Sequence, residues 1–270
     1  KLEPALCQTP SQAYESSRAL IERWHGDGRI RYAVTPRYAL STSLEMLEVA
    51  RTLLREKPGL VLQTHLSEAL DEIAAVKMRF PWATDYLEVY EAFDLVGPHS
   101  VFAHDVHPTA AEVKRLAQAH ASVAHCPTSN AFLGSGLFPM AAHCAQRVDV
   151  ALGSDVGAGT GFSLFKEGLM AYQMQMLRPD GYPLNPAHLL YLCTLAGARA
   201  MGVDAEVGDL TPGKWADMVL VKPLPDSTLE LALSHANSAE EALGALFTLA
   251  GEESVSEVYV AGSLAYRRAH

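Results

Sequence analysis

The chain has 270 residues, 49% of them hydrophobic and 19% charged, which is enough apolar surface for a sizeable core and too much for a disordered chain. Its net charge of −10 comes from 21 basic residues scattered among 31 acidic ones, which argues against nucleic acid as a partner, because phosphate binding needs concentrated lysine and arginine. No apolar run approaches membrane-spanning length, and the four cysteines (Cys7, Cys126, Cys144, Cys193) form no CxxC pair, so free buried thiols in a reducing cytoplasm are expected. The dipeptides His125-Cys126 and His143-Cys144 lack the short ligand spacings of a zinc finger.

In chain order, "TPSQAYESSRALIERWHGDG" has a Thr-Pro start, apolar residues at helical spacing and closing glycines, the marks of a helix. "RIRYAVTP" reads as a short strand stopped by Pro36. A helix over "STSLEMLEVARTLLREKPG" follows, capped by Ser41 or Ser43, and "LVLQTHL" is again a strand. Helical residues 67–96 lead to strand "SVFAHD", a helix over 108–120, strand "SVAHCP", a loop through "TSNAFLGSGLFP", a helix near 139–147 and strand "VDVALGSD". Strands that alternate with helices in this way predict an α/β fold whose parallel sheet is covered by helices. Residues 186–203 predict one more helix. The character then changes to turn-rich strands around a polar stretch of mixed helix potential, 226–250. A domain over 1–203 and a small β-rich domain over 204–270 are therefore expected.

The predicted strands end in residues that are costly to bury without partners: Thr35 and Arg37, Thr64 and His65, His104 and Asp105, His125, Ser154 and Asp155. In a parallel barrel or doubly wound sheet these ends share one face, where active sites lie. His65, His104 and Asp155 offer nitrogen and oxygen donors suited to a divalent metal such as zinc. Each alone also reads as a hydrogen-bonded structural residue or a turn former. Glu68, three residues past His65, would place a proton-carrying carboxylate beside a metal-activated water. Its alternative is a first-turn residue of a helix capped by Ser67. Arg37, flanked by Tyr38, could offer paired donors to a planar heterocycle edge or form a salt bridge on the rim.

These residues resemble the amidohydrolase superfamily, and within it the bacterial-type guanine deaminases. The resemblance runs from about Thr9 to Lys222 and rests on "RYAVTPRYA", "QTHLSE", "FAHDVH", "HCPTSNAFLGSGLFP", "LGSDVGAG" and "GDLTPGKWADMVLV". It implies a (β/α)₈ TIM barrel, here partial with about the last five strands, and a small β-rich domain. By the same resemblance His65, His104 and Asp155 match metal-site positions, Glu68 the proton-shuttling glutamate assisted by His104 and Asp155, and Arg37 with Tyr38 the purine-binding position. The implied cofactor is zinc, or iron (Fe2+) in some relatives. The implied reaction is hydrolysis of guanine to xanthine and ammonia in purine catabolism, carried out by a cytoplasmic homodimer on a small-molecule purine. Other amidohydrolases acting on amino- or chloro-substituted heterocycles, and a non-catalytic fragment with an incomplete metal site, remain as alternatives.

The sequence departs from the family pattern on its amino-terminal side, where about three of the barrel's eight strands and the amino-terminal half of the β-domain are missing. The His-x-His pair of the family's first barrel strand is absent, and the chain opens at Lys1 rather than methionine. The chain is accordingly expected to be the carboxyl-terminal part of a longer protein.

Overall fold

A computed structural model describes residues 7–269. Helix α1 (Pro10–Trp24) starts where Thr9 and Gln12 cap one another with Pro10 in the first turn, and α2 (Leu44–Glu56) starts where the Ser43 side chain accepts the Met46 N–H. Between them lies β1 (Ala33–Val34), only two residues long because the start of the predicted strand is tied into the turn after α1, where the Ile30 N–H donates to the Asp27 carbonyl and the Tyr32 N–H to His25 Nδ1. Strand β2 (Val61–Leu66) is followed by α3 (Leu70–Arg79) and α4 (Tyr86–Glu91). The predicted helix over 67–96 is thus two. Pro81 follows the end of α3, and Asp85 accepts the Glu88 N–H to begin α4 afresh.

Strand β3 (Ser100–His104), α5 (Ala110–Gln118), β4 (Ser122–His125), α6 (Pro127–Phe132), α7 (Met140–Gln146) and β5 (Asp149–Leu152) continue the alternation. Helix α6 corrects the expected loop: Pro127 sits in its first turn, where a missing N–H costs nothing. The five strands form one sheet in the order β1-β2-β3-β4-β5, and β1 through β4 pair parallel. All five residues of β3 are buried, as a parallel sheet covered on both faces requires. Leu62, Leu66, Phe102, Leu87, Leu116 and Val123 belong to the core around it.

Helix α8 (Leu164–Leu177) occupies a stretch where no element was predicted. The single helix predicted over 186–203 is divided into α9 (Pro186–Cys193) and α10 (Leu195–Ala200), because Thr194 leaves helical geometry and its hydroxyl donates to the Leu190 carbonyl. Beyond residue 204, β6 (Met218–Val221), β7 (Val255–Val260) and β8 (Ser263–Arg267) form an antiparallel sheet. Two helices, α11 (Thr228–Ser234) and α12 (Ala239–Leu249), fill the mixed stretch. Cys126 is buried, Cys144 and Cys193 are half-buried and Cys7 is exposed, so the expectation of uniformly buried thiols holds only in part.

The chain divides into two compact units: residues up to Ala124 with Ala142–Asp149, and His125–Ala141 with Val150 onward. Among the described residues no helix is long and apolar enough to cross a membrane.

Candidate active site

In the first unit, the register of β2 on β3 sets Thr64 beside Phe102, His65 beside Ala103 and Leu66 beside His104. Paired residues of parallel strands point to the same face, so an extended His104 would share the face of Leu66 and turn away from His65. It does not stay extended. His104 has a φ of +74° and Asp105 N–H donates to the Ala103 carbonyl at 3.1 Å, which is a γ-turn centred on His104. Relative to a strand φ of about −120°, this swings the Cα–Cβ bond roughly half a turn about N–Cα. The rings of His65 and His104 consequently lie 5.1 Å apart, and His104 Nε2 is 3.7 Å from Glu68 Oε2.

Glu68 does not belong to the first turn of a helix capped by Ser67, since α3 begins at Leu70 and Ser67 is buried in the left-handed region at φ +47°. Positive φ at Ser67, His104 and Asp105 concentrates backbone strain at the carboxyl ends of β2 and β3, the pattern of functional sites. His65 is held from behind: its Nδ1 donates to the Arg37 carbonyl at 2.6 Å, which leaves the ring's lone pair on Nε2. Thr64 donates to the same carbonyl, and the buried Tyr90 hydroxyl donates to the His65 carbonyl at 2.9 Å. The exposed Arg37 guanidinium lies 5.1 Å above the Tyr38 ring, itself 6.1 Å from the His65 ring.

Glu72 supports Glu68 from α3. One of its oxygens accepts the Glu68 N–H at 3.2 Å and the other accepts the Tyr86 hydroxyl at 2.7 Å. Burial pushes the Glu72 carboxyl above its ordinary value, although the Tyr86 and Ala69 donors pull it down. A raised folded-state value means the native protein holds this proton more tightly than the unfolded chain. The stabilisation is therefore full below about pH 4 and is lost as pH rises through the folded value. Glu72→Gln is expected to gain stability relative to the parent as pH goes from about 4 to 7. Parallel Tm-against-pH curves for the two proteins would refute this.

In the second unit, Asp155 follows β5 in the left-handed region at φ +45°, and its Oδ2 accepts the Ser129 hydroxyl at 2.6 Å. Ser129 is on α6, whose neighbouring residue Thr128 is tied to α8: Glu167 accepts the Thr128 N–H at 3.0 Å and the Thr128 hydroxyl at 2.7 Å. Thr128 Oγ1 also accepts the Thr160 N–H from the loop after Asp155. Glu167 is fully buried, which raises its carboxyl pKa against the pull of the two Thr128 bonds. The His125 ring stacks on Phe138 at 4.3 Å. The sequence predicts a loop over "TSNAFLGSGLFP" and does not point to Glu167, Glu72 or Tyr90: the Glu72–Tyr86, Tyr90–His65 and Glu167–Thr128 bonds span 14 to 39 residues.

The first unit thus gathers His65, Glu68, His104, Arg37 and Tyr38, and the second tethers Asp155 to Ser129. Among the described residues no group of three or more His, Cys, Asp or Glu side chains is arranged to hold a metal ion. The donor chemistry nevertheless fits one: two neighbouring imidazoles stand beside a carboxylate, and the tautomer of His65 is set by a backbone carbonyl as in metal-ligating histidines. The family profile described as the amidohydrolase family matches residues 6–265.

The chain belongs to the amidohydrolase family.

This amidohydrolase chain is 53% identical over 268 residues to the probable guanine deaminase of Deinococcus radiodurans, covering 99% of the chain and 61% of that relative. It superposes on the Escherichia coli guanine deaminase structure with a TM-score of 0.95 at 40% identity, covering 99% of the chain and 62% of that structure. The guanine deaminase of C. acetobutylicum with bound guanine in its active site gives a TM-score of 0.89 at 27% identity, covering 98% and 63%. The amidohydrolase chain therefore spans about three fifths of the length of these relatives.

Proposed function

We propose that this chain carries catalytic residues of a guanine aminohydrolase, which adds water to guanine and releases xanthine and ammonia. The observation that carries the reading is the cluster at the ends of β2 and β3: two imidazoles 5.1 Å apart with a carboxylate oxygen 3.7 Å from His104 Nε2. The similarity to guanine deaminases over nearly the whole chain supports guanine as the substrate. His65 and His104 would hold a divalent ion, zinc or Fe2+, with Asp155 as the third ligand that the family pattern assigns. When bound, such an ion supplies Lewis acidity and makes water acidic near neutral pH.

Glu68 takes the proton of the attacking water on its carboxylate and delivers it to the ring nitrogen adjacent to the carbon that bears the amine. The remaining hydroxyl proton then passes to the amine as the C–N bond breaks and ammonia leaves. His104 orients the water and Asp155 assists its deprotonation. Arg37 and Tyr38 hold the purine so that this carbon faces the water, a positioning effect. The five-stranded sheet reads as part of a (β/α)₈ barrel over 1–203, residues 204–270 as the small β-rich domain, and the setting as a cytoplasmic homodimer.

The test is ammonia release by the zinc-loaded chain from guanine, adenine, cytosine and triazines. Guanine is expected to be turned over best, with xanthine as product. Full zinc occupancy without xanthine formation would sink the assignment.

A further inference from the structure

The proposed mechanism leaves unused a fully buried carboxyl–imidazole pair in the first unit. Asp105 Oδ2 lies 2.7 Å from His143 Nε2, with neither side chain exposed to solvent. The other carboxylate oxygen, Oδ1, has no hydrogen-bond partner among the described residues, so the bond to His143 is the stabilisation this buried carboxylate receives through its side chain. A carboxylate is buried at such cost only with a partner in good geometry.

The pair sits at the γ-turn that aims His104. Asp105 N–H donates to Leu66 O at 2.8 Å as well as to Ala103 O, and the N–H groups of Val106 and His107 both donate to Ser67 O, at 3.1 and 3.0 Å. These bonds fasten the turn to the end of β2. The Asp105 carboxylate fastens it to His143 on α7, a second element 38 residues away. Two consecutive non-glycine residues at φ +74° and +45° persist only where the surroundings over-determine them.

We propose that the Asp105–His143 pair is a positioning device that holds His104 in its left-handed turn and so presents the His104 imidazole beside His65. The consequence for metal affinity rests on the function proposed above, whereas the holding of the turn does not. With the pair intact, the turn has one conformation and the imidazole one direction. Without it, the backbone bonds to Leu66 and Ser67 are the turn's remaining ties, and His104 relaxes toward the extended geometry that faces it away from His65.

The test compares the full chain with Asp105→Asn and with the double variant Asp105→Asn/His143→Leu. Asparagine tolerates the left-handed region, and removing charge and imidazole together leaves no lone buried charge. The double variant is expected to unfold within a few degrees of the parent, to exchange the amide protons of residues 105–107 faster, and to bind zinc about 10- to 100-fold more weakly in chelator competition, the usual loss for a group that orients a ligand. Asp105→Asn alone, which keeps a hydrogen bond to His143, is expected to fall between. A purely structural role would move Tm and leave zinc affinity in the folded variants unchanged, and that result overturns the proposal, as does parental amide exchange at 105–107. Should the double variant not fold, Asp105→Asn decides by the same two readouts. If the parent binds no zinc, the metal reading fails by itself, and the exchange of 105–107 still decides whether the pair holds the turn.

Discussion

Glu68→Gln is expected to leave the fold and zinc affinity of the chain unaltered and to lower guanine turnover by about 10²- to 10⁴-fold, the range that general acid–base groups contribute. Glutamine has nearly the shape of glutamate but cannot carry the proton. Its backbone would stay where Glu72 accepts the Glu68 N–H at 3.2 Å and where Ser67 turns at φ +47°. Steady-state turnover, measured with zinc content on the same sample, separates a lost proton carrier from a lost metal. Turnover within a few-fold of the parent at equal zinc content removes Glu68 from proton transfer.

The second large effect is expected at Gly159. An added Cβ there would fall 1.7 Å from the Ser154 carbonyl oxygen and 3.0 Å from the Asp155 carbonyl oxygen, so the backbone itself must move. Gly159 N–H also donates to Asp155 O at 2.5 Å and closes the turn that holds Asp155 at φ +45°. Gly159→Ala is expected to cost about 1–3 kcal/mol or more through overpacking, lowering Tm by several degrees. Because the displaced residue is the proposed third ligand, zinc affinity should fall with it. Calorimetry and zinc titration of one preparation check both, and an unchanged Tm would show that the turn opens without resistance.

The alternation of apolar strands with amphipathic helices was legible in the sequence because local periodicity dictates it, and β2 and β3 appear where their apolar runs lie. Element ends were less legible where two signals competed. Pro81 and Asp85 divide one helical stretch, and Thr194 divides another by bonding back to Leu190. Helix α8 escaped because its apolar and polar residues are not segregated to opposite faces, and yet it supplies the buried Glu167.

By itself the sequence determined which groups stand at the strand ends: His65 near the end of β2 with Glu68 just past it, His104 as the last residue of β3 and Asp155 past β5 follow from where apolar runs give way to polar residues. Only the tertiary structure decided where those groups point. Strand alternation turns His104 away from His65, and the γ-turn at φ +74° reverses that. A backbone dihedral of this kind is chosen by distant contacts, among them Leu66 O and the carboxylate–imidazole pair that reaches His143, which no local pattern of residues encodes.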